Sequence, residues 1–136
     1  MINPKQMFYS ISLGILMTSL LFSSYNINAQ EENEEENDPL TILSTIRTLL
    51  NQSITELNTG NYTGASELVD IAYIDNYEYI EDPLKDLDQD LMEETEVMIR
   101  EDLTSAIEDK KPLGEITTLH NNIKSNLDMA EKLFKQ

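Results

Sequence analysis

Residues 67–109 read ELVDIAYIDNYEYIEDPLKDLDQDLMEETEVMIREDLTSAIED, and their reading decides the fold. Sixteen of them are Asp or Glu, against two basic residues, Lys85 and Arg100. A run this acidic is ordinarily a solvated tail. Here the apolar residues recur at steps of three and four, which is the spacing of an amphipathic helix. The stretch is therefore read as folded. Glu81-Asp82-Pro83 interrupts it, because proline lacks the helical N–H and clashes with the preceding turn. The spacing predicts one helix over 64–81, a break at Pro83, and a second over 88–109 capped by Asp86 or Asp88. In the first, Ala65, Leu68, Val69, Ala72, Tyr73, Asn76, Tyr79 and Ile80 are expected inward, with Ile71, Ile74 and Tyr77 flanking. In the second, Leu91, Val97, Met98, Leu103, Ala106 and Ile107 are expected inward. Lys110 and Lys111 follow at the negative pole of that helix.

Upstream, Asp38-Pro39 is a helix start, with Asp as cap and Pro at the first helical position. Leu40, Leu43, Ile46, Leu50, Ile54 and Leu57 form its apolar stripe, widened by Ile42 and Leu49. Asn58-Thr59-Gly60 ends it, with Gly60 free to turn left-handed. Downstream, Pro112-Leu113-Gly114 is a turn. The last helix, over 115–134, carries Ile116, His120, Ile123, Leu127, Ala130 and Phe134 at alternating steps of four and three. Four amphipathic helices with short links and no strand signal predict an all-α, up-down-up-down four-helix bundle over 39–136.

Two segments precede the bundle. Residues 1–29 combine Lys5, an uncharged apolar run over 7–22 and a small polar stretch ending in Ala29. The run is short of the roughly 20 apolar residues of a membrane span. It reads as a signal peptide or an N-terminal anchor, so the bundle is expected to be extracytoplasmic. Residues 30–38, QEENEEEND, have nothing apolar to bury and read as an acidic linker.

The 136 residues carry a net charge of −17, and the pI is about 4.1. Nucleic acid is excluded as a partner, because neutralising phosphates requires Lys and Arg. Anionic lipid is excluded likewise. A metal ion or a basic protein partner fits the charge. There is no Cys, so disulfides and thiolate metal sites are out of reach, and the single His, His120, excludes a multi-His metal site within one chain. No nucleophile–base pair or cofactor loop is visible, and an enzyme is not expected.

The residues to consider for chemistry are carboxylates. Glu78 and Glu81 are three apart and share a helix face. Glu94 lies in line with Leu91 and Met98, which directs it toward the core, where a carboxylate needs Arg100, His120, a Tyr hydroxyl or a metal. The di-iron bundle pattern demands Glu-x-x-His pairs, and Thr117 stands three before His120. A looser site of hard oxygen ligands, formed by Glu78, Glu81 and Glu94 with His120, is the metal reading, with iron or another hard ion as its cofactor. The alternative for His120 is a core histidine with one satisfied hydrogen bond. The tyrosines Tyr62, Tyr73, Tyr77 and Tyr79 are expected as core or rim packing. Asn51-Gln52-Ser53 and Asn61-Tyr62-Thr63 are glycosylation acceptor patterns, relevant only if the chain is exported.

Four strings carry a family resemblance: Gly60-Asn61-Tyr62-Thr63-Gly64-Ala65, the segment 72–84, Leu91-Met92-Glu93-Glu94-Thr95-Glu96, and Arg100-Glu101-Asp102-Leu103. Within 72–84, Tyr77-Glu78-x-x-Glu81-x-x-Leu84 matches an aromatic–Glu–x–x–Glu–x–x–Leu string. Together these resemble the extracytoplasmic helical domain of iron-permease family proteins, over residues 40–134. The multi-helix membrane part with the transport motif is not in these 136 residues, so transport is not carried over. The resemblance implies a helical domain that binds or presents a metal ion or docks with a membrane permease. Glu78, Glu81 and Glu94 are the residues it singles out. The rival expectation is a structural or protein-interaction module without metal, its acidic helices facing a basic partner.

Overall fold

The computed structural model describes residues 38–136. The signal or anchor segment 1–29 and the linker up to residue 37 lie outside the described residues. Among the described residues the architecture is all-helical, with four helices. The first, α1, is Pro39–Asn58. Asp38 caps it, its carboxylate accepting from the Thr41 N–H at 3.0 Å. It ends as expected at Gly60, whose φ of 81° is the left-handed stop. Ile42, Leu43, Ile46, Leu50 and Leu57 are its buried face.

The second helix, α2, spans 62–87 and is built of Tyr62–Ala72, a π turn at Tyr73–Tyr77, and Glu78–Leu87. Asn61 caps it, accepting from Gly64 N–H at 3.1 Å. It starts earlier than its periodicity predicts and runs through Pro83. The break falls five residues later, at Asp88, with φ −158° and ψ 96°. Packing overrides the proline. Ile80 and Leu84, flanking Pro83 along the helix, are both 0% exposed. Burying a side chain of that size contributes about 1.5–3 kcal/mol, enough for the pair to offset the roughly 3 kcal/mol cost of an internal proline.

Asp88 then caps α3, accepting from Leu91 N–H at 3.0 Å. The helix spans 89–108 and carries its own π turn at Met98–Leu103. Lys110 follows with φ 52°, a left-handed position filled without glycine. The last helix, α4, is Leu113–Phe134.

The π turns correct the expected core. Tyr77 is fully buried and Tyr79 is 65% exposed, the reverse of the prediction. Val97 is exposed, while Ile99, omitted from the expected core, is fully buried. A step of four overshoots an α-helical turn by about 40°. Ala65, Val69, Tyr73 and Tyr77 take three such steps, and so do Thr95, Ile99, Leu103 and Ile107, yet all eight are buried. The wider π turn absorbs the overshoot. The Glu78 N–H donates to the Tyr73 carbonyl five residues back. Polar side chains support each turn. Asn76 Nδ2 donates to the Ile71 carbonyl at 3.0 Å, and Thr104 Oγ1 to the Ile99 carbonyl at 3.2 Å.

The helices are joined through polar groups as well as apolar ones. Ser53 Oγ donates to the Ala65 carbonyl at 2.9 Å, joining α1 to α2. Arg47 on α1 reaches α4, donating to the Leu127 carbonyl at 3.1 Å and pairing with Asp128 and Glu131 at 2.9 and 2.7 Å.

Candidate functional site

Tyr73 opens the π turn of α2, and Arg100 lies within that of α3. They belong to a polar centre with Glu81 and Glu96, which stand in the α-helical segments beside the two turns. The Tyr73 hydroxyl donates to Glu96 Oε1 at 3.3 Å. Arg100 Nη1 pairs with the same oxygen at 2.9 Å, and Nη2 with Glu101 at 2.7 Å. The guanidinium lies 5.9 Å from the Tyr73 ring centroid, within cation–π range. Tyr73 stacks in turn on Tyr77, with ring centroids 6.3 Å apart.

Glu81 is the uncomfortable member. Its Oε1 is enclosed and has no hydrogen-bond partner. Burial pushes its carboxyl above the usual range, the Glu96 and Glu78 charges push it further, and Tyr73 and Arg100 oppose the rise. The same burial, with Glu81 next, pushes Tyr73 up to about 12. Burial raises the Tyr77 hydroxyl as well. The Glu101 carboxylate, followed by Tyr73, holds Arg100 still more firmly protonated. The centre thus keeps one neutral phenol, backed by the stacked Tyr77 ring, with one fixed cation and two carboxylates in mutual repulsion.

Glu78 and Glu94, expected beside Glu81, are both exposed. Glu94 does not point to the core. It lines an open surface groove with Asp88, Asp90, Leu91, Met129, Lys132 and Leu133. Thr95, one position on, takes the buried place instead, its hydroxyl donating to the Leu91 carbonyl at 2.7 Å. His120 is buried in α4 and lines a small cleft with Arg47, Leu50, Asn51, Lys124 and Leu127. Burial lowers its pKa, and nearby Lys124 lowers it further, against the opposing effect of the adjacent Asn121 side chain. Among the described residues, no group of three or more His, Asp or Glu side chains is placed to hold a metal ion.

Glu96 and Tyr73 are the site residues that periodicity alone did not single out. The signal was present in the uninterrupted four-residue steps that imply a π turn, since such turns gather at functional positions. The exposed acids form the wider setting. Fourteen of the sixteen carboxylates in 67–109 are exposed. Among the described residues only Glu96 and Glu101 of that set are in ion pairs, and both share Arg100. No described helix is long and apolar enough to cross a membrane. No family model matches the chain, and neither a curated protein nor a solved structure matches it.

Proposed function

We propose that the chain is a non-enzymatic interaction module, acting outside the cytoplasm, that holds a basic protein segment on the carboxylates of α2 and α3. One observation carries the reading: fourteen exposed carboxylates of 67–109 with Arg100 as the only cation paired to any of that stretch among the described residues. So much unpaired negative charge destabilises a compact chain by self-repulsion and raises the local concentration of cations. A basic partner relieves the first and exploits the second. The apolar run at 7–22 supports the extracytoplasmic setting. The links 59–61, 88 and 109–112 are short, which favours antiparallel neighbours and an up-down-up-down bundle.

A second reading, a hard metal ion held near Glu81, has one specific support. The Glu81 Oε1 lacks a partner while two further carboxylates act on it. The resemblance to iron-permease-associated domains points the same way.

Thermal unfolding with poly-lysine, and separately with ferric, ferrous, calcium and manganese ions, decides between them. A ligand that binds only the folded state adds about 2.7 kcal/mol at a hundredfold excess over Kd. The module reading expects a rise in Tm with poly-lysine that high salt abolishes, and small equal rises with every divalent ion. A large rise confined to one ion, lost in Glu81→Gln, would establish the metal site and overturn the module.

A further inference from the structure

We infer that the outer face of α2, where Ile71, Ile74 and Tyr79 stand among Asp75, Glu78 and Asp82, is where a cationic amphipathic helical segment of another protein docks. The inference rests on the reading of the chain as an acidic interaction module and names its contact surface.

The face is built by the π turn. Ile71, Asp75 and Tyr79 are four apart, and so are Ile74, Glu78 and Asp82. In an uninterrupted α-helix such lines drift around the axis. The turn at Tyr73–Tyr77 keeps them in register, as it keeps the inward line that ends at Tyr77. Two parallel rows result, each mixing apolar and acidic side chains. The apolar members are well exposed: Ile71 40%, Ile74 54% and Tyr79 65%. Ile74 and Tyr79 are the two most exposed large apolar side chains among the described residues. All three carboxylates are exposed, and none is in an ion pair among the described residues. Tyr79 adds a ring with a polar tip, the kind of side chain that anchors contacts at the edge of water.

Charge selects the occupant. A second copy of the chain would set three carboxylates against three, which opposes association of like charges. An anionic lipid surface is repelled for the same reason. A helix with Lys or Arg beside an apolar stripe satisfies both kinds of side chain at once, in the helix-against-helix mode of recognition.

The test uses a short helical peptide with one Leu face, Lys flanks and a single Trp. The chain has no Trp, so peptide fluorescence reports binding directly. Ile74→Gln with Tyr79→Gln is compared with Leu113→Gln and Met129→Gln, which remove exposed apolar groups elsewhere. Gln keeps good helix propensity, and far-UV circular dichroism checks each fold. The inference expects the α2 pair to weaken binding about tenfold or more, as for interface anchors, and the control pair to leave it unchanged. Equal binding by all variants overturns the α2 face while the module reading stands. Equal loss in both pairs does the same. No binding of the peptide to the native chain at any salt overturns both.

Discussion

The Tyr77 hydroxyl donates to the Met92 carbonyl at 2.9 Å from a ring that is fully buried, tying α2 to α3. The π turn puts that ring inside. Tyr77→Phe keeps the packing and removes one hydrogen bond, so it is expected to cost about 1 kcal/mol. Tyr77→Ala opens a cavity and is expected to cost about 3–5 kcal/mol. Urea unfolding followed by circular dichroism separates the two. Equal costs would mean that the hydroxyl, not the ring, holds the helices together.

Glu81 sits in a place that disfavours its charge. Burial and the neighbouring carboxylates raise its folded pKa above 4.5. A raised carboxyl contributes stability that is full below the unfolded pKa and is lost as pH rises through the folded one. Glu81→Gln is therefore expected to raise Tm at pH 7, with the gain fading toward zero below about pH 4.5. A Tm at pH 7 that falls on substitution would show that the charge itself is stabilising.

His120 works in the opposite sense. Burial, with Lys124, depresses its folded pKa below 6.5. Its stability contribution is full above the unfolded pKa and is lost as pH falls through the folded value. The single imidazole is readily followed by proton NMR. Its midpoint is expected below 6.5, and the stability slope just below that pH is expected to shrink in His120→Gln. A midpoint at or above 6.5 contradicts the buried placement.

Much of the fold was legible in the chain. The Asp38 cap, the Gly60 stop, the α1 stripe and the helix count follow from local rules that the structure also obeys. Pro83 was misread because its cost is local, while the burial of Ile80 and Leu84 that offsets it is tertiary. Tyr79 and Tyr77 were exchanged because a period of 3.6 was imposed on a segment that steps by four. Of the polar centre, Glu81 was considered only as a metal ligand with Glu78, and Glu78 is exposed. Glu96 did not stand out, since it lies outside the expected apolar positions of α3 and its contact with Tyr73 joins two helices. Glu94 was drawn inward by the α-helical wheel.

Arg47 ties α1 to α4, reaching the Leu127 carbonyl, Asp128 and Glu131. It is one of only nine basic residues in the chain. Arg47→Ala is expected to cost about 1 kcal/mol, given how much of the pair water reaches. Arg47→Lys is expected to recover part of that, because an ammonium lacks the planar fork that serves several acceptors at once. Full recovery by Lys would show that charge alone matters there.

The most direct measurement is an amide NMR titration of the protein with the Lys-flanked amphipathic peptide. The account predicts shifts concentrated on 71–82 of α2, weakening as salt screens the carboxylates, with α1 and α4 little changed. Shifts concentrated around His120 and Arg47, or none at peptide concentrations that saturate other acidic helices, would contradict it.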